Sequence, residues 1–284
     1  MWSGNFIVAR SAVEQMPPVG LAFWRWATAA ILLAPFALKQ TLNRLSLVNN
    51  HFRYLSFTAL VGITAVNTLT YIAGRSTSAM NLSLIAISAP IFIILLSRII
   101  YGERIHLTRI IGLVISISGV LLLITNGSIS RLIHIQFAHG DLIMLLAAFL
   151  FAGYSMLVKE LPKELPHLVF LFTIFVLGVL FLFPFFLWEC LVVQQPDISQ
   201  QAIISILYVA IFASLFSYVL WNKAIVTIGP SKSALIYYMI PVFSGISANV
   251  ILKESIGIVQ SLSMLVIIIG ILTANKGSVK GQHV

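Results

Sequence analysis

Amides and phenols recur at helical spacing inside runs that are otherwise apolar. Thr64, Asn67, Thr68 and Tyr71 fall at i, i+3, i+4 and i+7, one stripe on one helix. Ser214, Tyr218, Trp221 and Asn222 draw a second stripe of the same kind, and Asn5, Tyr154, Tyr237, Tyr238 and Ser244 stand in three further apolar runs. Turned to lipid without partners, such groups would cost several kcal/mol each, so they should face inward. The chemistry they offer is recognition by hydrogen bonds and ring contact. The predicted site is a central cavity walled by Asn5, Asn67, Tyr71, Tyr154, Tyr218, Trp221, Asn222, Tyr237 and Tyr238, suited to a small zwitterionic or aromatic solute. Plain hydrogen bonding between helices, worth about 0.6 kcal/mol per pair, is the other use these residues could have.

Charges are few and placed with purpose. Arg25 is the one basic residue well inside a predicted helix, and an intramembrane charge is a functional candidate by default. It could contact an anion or carboxylate, or anchor the helix by giving its five donors to backbone carbonyls. Glu103 and Glu254 stand where one predicted helix ends and the next begins, a position for capping or for gating. All eight acids, Glu14, Glu103, Asp141, Glu160, Glu164, Glu189, Asp197 and Glu254, fall in loops or at helix ends, as do the six histidines. A pump of lipophilic cations that exchanges protons would need a carboxylate at mid-membrane. A membrane enzyme would need paired carboxylates or a His-x-x-x-His helix face. Neither pattern occurs, so no catalytic activity, cofactor or metal is expected.

The elements that must position these groups are membrane spans. Of 284 residues 60% are hydrophobic and 9% charged, and the mean hydropathy is +1.03, values no soluble core requires. The formal charge of +9 forms no basic cluster with interleaved aromatics, so nucleic acid is not an expected partner. The lone Cys190 excludes an intrachain disulfide framework. At about 20 residues per span, ten segments fit: 1–13, 18–38, 54–73, 79–101, 108–125, 140–158, 166–188, 202–225, 231–252 and 257–275. Two of them are interrupted near the middle by a proline. Pro90 deprives the carbonyl of Ala86 of its helical donor, and Pro241 does the same to Tyr237.

These two prolines expose a duplication. A shift of 151 sets Pro90 on Pro241, Glu103 on Glu254, Gly119 on Gly270 and Ala73 on Ala224. Near the start a shift of 149 sets Gly4 on Gly153, Arg10 on Lys159, Pro17 on Pro166 and Pro35 on Pro184. The reading is an all-α membrane protein of two five-helix repeats, 1–125 and 140–276. Five being odd, the copies enter the membrane from opposite sides, an inverted repeat. With the start inside, twelve basic residues fall on the cytoplasmic side (Lys39, Arg44, Arg53, Arg98, Arg104, Arg109, Lys159, Lys163, Lys223, Lys232, Lys276, Lys280) against Arg10, Arg75, Arg131 and Lys253 outside. That bias places both termini in the cytoplasm. The sixth segment begins about eleven residues before Phe151, the counterpart of Trp2, so the first helix is expected to be truncated at its N-terminus. Gly112, Ser116 and Gly119, with Ser263 and Gly270, form small-residue stripes for packing within the chain or between two copies.

Several short motifs resemble the drug/metabolite transporter superfamily, of the ten-helix EamA type. They are W-S-G-N-F at Trp2–Phe6 with Arg10, W-R-W at Trp24–Trp26, S-A-P-I-F and Y-G-E between Ser88 and Glu103, Y-V-L-W-N at Tyr218–Asn222, and I-P-V-F with K-E between Ile240 and Glu254. Lys253 departs from the glycine usual before that glutamate, and Asn81 from a small apolar residue. The resemblance covers nearly the whole chain and implies a plasma-membrane solute carrier, often an exporter of amino acids or related metabolites. The expectation is therefore a multi-pass carrier, monomer or weak homodimer. It would move small metabolites by alternating access, with Pro90 and Pro241 as hinges. A lipid-handling or non-transporting membrane scaffold is the alternative.

Overall fold

The computed structural model describes residues 2, 4–5, 8, 16–77, 79–103, 105–125, 127–128, 130, 138–193, 199–240, 242–243 and 257–276. Among them every regular element is a helix: α1 (Pro18–Leu42), α2 (Leu45–Asn50), α3 (Phe52–Gly74), α4 (Ala79–Ala86), α5 (Ser88–Tyr101), α6 (Leu107–Thr125), α7 (His139–Lys159), α8 (His167–Val192), α9 (Gln200–Ile228), α10 (Pro230–Ile236) and α11 (Ile258–Lys276). Among the described residues seven stretches are long and apolar enough to span a bilayer: α1, α3, Asn81–Tyr101 through α4 and α5, α7, α8, α9, and Ile258–Asn275 in α11. The apolar part of α6, Leu107–Leu123, is shorter. Most of the first predicted segment, apart from Trp2, Gly4, Asn5 and Val8, and much of the ninth, including Pro241, Ser244 and Glu254, lie outside the described residues.

Local chemistry sets the helix ends. Pro18 occupies the first turn of α1, where its missing N–H costs nothing. The next two amides, of Val19 and Gly20, donate to the carboxylate of Glu189 near the end of α8, at 3.2 and 2.6 Å. A buried acid thus caps a helix from a neighbouring one and meets the positive end of its dipole. At the start of α7 Asp141 accepts from the Ala138 amide at 2.7 Å, from the Thr77 hydroxyl, and from the Asn81 amide at 3.3 Å. That carboxylate ties the end of α3 and the start of α4 to α7. α4 stops at Ala86 and α5 starts at Ser88, so the span breaks a turn before the buried Pro90. The Ser88 hydroxyl donates to the Ile85 carbonyl at 2.6 Å, covering one backbone group at the break.

Packing sorts the helices into partners. α1 lies along α8, α6 lies along α11, and α7 is wrapped by α3, α4 and α5. Large apolar side chains such as Phe36, Ile99 and Leu191 point outward, as on a protein bathed in lipid. The α6–α11 contact is close enough to need glycine. A Cβ on Gly270 would lie 2.5 Å from the Ser116 amide nitrogen and 2.8 Å from the Gly112 carbonyl oxygen, backbone atoms that cannot swing aside. The small-residue stripe is therefore used within the chain. A Cβ on Gly153, in α7, meets nothing within 4 Å.

Two glycine substitutions separate these situations. Gly270→Val should lower thermal stability in detergent by the equivalent of roughly 1–3 kcal/mol. Gly153→Ala should leave it level or raise it by up to about 1 kcal/mol, through helix propensity alone. Unfolding followed by intrinsic fluorescence reads both. A stable Gly270→Val protein would show that α6 and α11 do not touch as described.

Candidate functional site

Both polar stripes begin in helix segments that are not α-helical, at Thr64 and at Ser214. Within α3, Leu60–Ala65 is π-helical, and within α9 so is Val209–Phe216. π turns are widened and often mark functional sites. Gly62 and Ala213 stand in these segments 151 residues apart, the shift that sets Pro90 on Pro241. The Gly62 carbonyl accepts from the Tyr218 hydroxyl at 2.9 Å and from the Asn67 amide at 3.3 Å. The Ala213 carbonyl accepts from Trp2 Nε1 at 3.0 Å and from Arg25 Nη2 at 2.9 Å. Two donors fill both lone pairs of each oxygen. Gly62 must be glycine because the Tyr154 ring occupies the space a Cβ would take.

Other residues matched by the sequence shifts of 149 and 151 meet in the same place. Asn67 Nδ2 donates to the Tyr218 hydroxyl at 3.1 Å, and these two are register mates. Asn5 Oδ1 accepts from the Tyr71 hydroxyl at 3.0 Å, while Tyr154 donates to Asn222 Oδ1 at 2.9 Å. Asn5 is the mate of Tyr154 and Tyr71 of Asn222, so one amide–phenol bond occurs twice with its partners exchanged. The Trp2 and Phe151 rings, also mates, meet edge to face with centroids 5.5 Å apart.

Between these pairs lies a cavity. Its wall includes Trp2, Asn5, Asn67, Thr70, Phe151, Tyr218 and Tyr237, with Ala86 and Ala89 from the α4–α5 break and Met144, Ala147 and Ala148 from α7. About 40 Å³ is open to the centres of water-sized molecules, room for about three waters. Four of the nine residues expected to wall a cavity do so: Asn5, Asn67, Tyr218 and Tyr237. Tyr71, Tyr154, Trp221 and Asn222 are buried behind it. Trp221 donates to Ser155 Oγ at 3.2 Å, and its ring centroid lies 5.4 Å from that of Trp2. Tyr238 turns the other way, into a second cluster with Ile87, Ile94 and Val120, since adjacent helical residues point about 100° apart. Its hydroxyl has no partner among the described residues. Trp2, Phe151, Thr70 and Met144 were not among the expected wall residues. The Trp2–Phe151 register match was the available signal for two of them; Met144 and the alanines look like any core face.

Arg25 is fully buried beside the cavity. Its Nε donates to Ser214 Oγ at 2.5 Å, Nη1 to Asn5 Oδ1 and to the Tyr71 oxygen at 2.9 Å each, and Nη2 to the Ala213 carbonyl. It thus joins Asn5, α1, α3 and α9. About 12 Å further along α7 from Phe151, a second polar cluster connects three helix ends. Lys159 Nζ lies 3.3 Å from Glu103 Oε1 and 3.4 Å from the Tyr101 ring centre, and the Ser231 hydroxyl donates to the other Glu103 oxygen. Of the expected charges, Arg25 and Glu103 are so placed; Glu254 lies outside the described residues. Pro90 sits beside the cavity wall at Ala89, and its expected partner Pro241 lies outside the described residues.

The sequence model of the EamA-like transporter family matches residues 1–125 and 138–276. A curated relative described as an "Uncharacterized transporter" of Archaeoglobus fulgidus is 27% identical over 97% of this chain and 94% of its own length. A "Probable amino-acid metabolite efflux pump" of Escherichia coli is 23% identical, covering 95% of this chain and 90% of that protein. One solved crystal structure superposes with a TM-score of 0.78 at 16% identity, over 99% of this chain and 94% of the other, and so shares the fold.

The two tyrosine environments give opposite expectations. Tyr218→Phe strips a donor from the Gly62 carbonyl and an acceptor from Asn67, and should destabilise by about 1–3 kcal/mol. Tyr238→Phe removes a hydroxyl that bonds to nothing described, and should be neutral or stabilising. Thermal unfolding of both variants in one detergent decides; equal losses would contradict the bonding described.

Proposed function

The chain belongs to the EamA-like transporter family, a multi-pass membrane transporter, and on that premise we propose that it exports or equilibrates small metabolites such as amino acids by alternating access. In this reading residues 1–125 and 140–276 are two inverted five-helix repeats in the plasma membrane, with both termini cytoplasmic and the cavity at their shared centre. The observation that carries it is the meeting of repeat-related residues around the cavity: Asn67 with Tyr218, Trp2 with Phe151, and the amide–phenol bond made twice with exchanged partners. A site built on such symmetry suits a protein whose two halves take turns facing each side. The Escherichia coli relative, described as an amino-acid metabolite efflux pump, favours that solute class. The small-residue stripe is used inside the chain, which favours a carrier complete in one subunit.

The Glu103–Lys159–Ser231 cluster is assigned as the closed cytoplasmic mouth in this reading. The Glu103–Lys159 pair is partly exposed, 30% on each side chain, and a solvent-reached pair is worth on the order of 1 kcal/mol, weak enough to open and close during transport. The break before Pro90 and the one expected at Pro241 let the cavity-lining helices bend as each mouth opens.

Purified protein in liposomes should show saturable flux for at least one solute in a panel of amino acids, nucleobases and vitamins. Asn67→Leu, Tyr218→Leu and Tyr237→Leu should each cut that flux at least about tenfold while the protein still reaches the membrane. Glu103→Lys and Lys159→Glu should each impair it, and the double exchange should restore part. Absence of flux for every solute would defeat the carrier reading; full flux in all three leucine variants would defeat the cavity.

A further inference from the structure

Arg25 is a buried cation with no carboxylate in contact among the described residues. Its four hydrogen bonds go to a serine hydroxyl, an amide oxygen, a phenol and a backbone carbonyl, all neutral. Neither ion pair among the described residues, Lys159–Glu103 and His51–Glu164, involves it. Glu189 is the buried acid on the neighbouring helix, but it accepts from Val19 and Gly20, about one and a half turns of α1 away. A guanidinium at this depth gives its surroundings a positive potential that the low-dielectric interior screens little.

That charge is passed to the cavity through Asn5. The Asn5 amide oxygen is taken twice, by Arg25 Nη1 and by the Tyr71 hydroxyl. Its orientation is therefore fixed, and the amide nitrogen, used by neither bond, belongs to a residue that lines the cavity. Asn67 is set the opposite way. Its nitrogen donates to Gly62 and Tyr218, leaving its oxygen free to accept. The Thr70 hydroxyl donates to the Val66 carbonyl, so its lone pairs also remain. One side of the cavity thus presents a donor backed by a cation, and another presents acceptors. Rings of Trp2, Phe151 and Tyr237 close the rest.

From this geometry we infer that Arg25 selects solutes by charge: the carrier requires a carboxylate, which it seats at Asn5, and rejects the same skeleton carrying only an amine. An ammonium group on the solute finds the Asn67 and Thr70 oxygens, and the apolar remainder finds the rings. Arg25 acts through Asn5 and through its field, a positioning and selecting residue that need not touch the solute. The second half of the chain has Ile174 at the position one repeat on from Arg25. The charge is therefore an addition to one half and not part of the shared scaffold.

The inference rests on the carrier reading, and its test separates the two. Flux into proteoliposomes, corrected for protein-free vesicles, is measured for tryptophan against tryptamine and for leucine against isopentylamine. The wild type should carry each amino acid about 100-fold faster than its amine. Arg25→Gln should bring that ratio to about tenfold or below, whereas Arg25→Lys keeps the cation and should keep most of the preference. A merely structural loss would lower all four fluxes together and leave the ratios alone. If Arg25→Gln does not fold, Asn5→Asp is the second variant: an acid there should suppress carboxylate flux and spare amine flux. Equal wild-type rates for acid and amine would overturn the inference, as would an unchanged ratio in Arg25→Gln. If neither amino acid moves but another solute of the panel does, the inference falls and the carrier reading stands.

Discussion

A backbone carbonyl inside a bilayer has no water to turn to, and the centre of this protein is organised by two that find partners across the molecule. The widened helix of Leu60–Ala65 brings the Gly62 oxygen to Tyr218 of α9. The widened helix of Val209–Phe216 brings the Ala213 oxygen to Trp2 and to Arg25 of α1. Each π segment is thus completed by donors from outside its own helix. An α-helix satisfies its own backbone and can be packed anywhere; these two segments are tied to their neighbours. Gly62 and Ala213 are 151 residues apart, the shift that sets Pro90 on Pro241, so the same requirement is met twice at that spacing, and the helices around the cavity are tied together by it.

The symmetry is one of chemistry more than of sequence. Asn67 and Tyr218 are different residues that complete one bond. Asn5–Tyr71 and Tyr154–Asn222 each pair an amide with a phenol, with the two types exchanged between the halves. What persists is a donor and an acceptor at each position, which either residue type supplies. Against this background Arg25 breaks the symmetry. It places a charge on one side only and consumes the oxygens of Asn5 and Tyr71 that their counterparts use differently. On the other side Asn222 Nδ2 has no partner among the described residues. One half is saturated by a cation and the other is left with a spare donor.

How much of this could be read from sequence depends on which signal each feature leaves. The stripe of Asn67 and Tyr71, and that of Tyr218 and Asn222, were visible because polar residues at helical spacing stand out in apolar runs. The helix break before Pro90 was visible because a proline cannot donate. Which face met the cavity was not, since a stripe has the same period whether it lines a void or lies behind the residues that do. Tyr71 and Tyr154 fell on the wrong side of that line, and Tyr238 fell on another face altogether. The π segments left no trace, because LVGITA and VAIFASLF are ordinary membrane-helix sequences. The Glu189 cap was hidden as well. Placing that acid at a helix end was straightforward, but nothing local to Glu189 says that the helix it caps begins about 170 residues earlier.

The strengths of the contacts also say where this structure can yield. α6 and α11 meet at backbone distance through Gly112 and Gly270, and separating them would open a gap that no side chain could fill. The cavity wall is different. Trp2 meets Phe151, Trp221 and Tyr237 with centroids 5.4–5.5 Å apart, ring contacts worth about 0.5–1.5 kcal/mol each. The Glu103–Lys159 pair is partly exposed and weaker still. Room for about three waters is too little for a metabolite, so a solute that enters must displace wall rings and offer its own contacts in return. On the carrier reading this makes the exchange nearly balanced, and a balanced exchange is what lets the binding of one small molecule shift a membrane protein between two states. The peripheral helices supply the rigid frame, and the aromatic wall is the part held loosely enough to move.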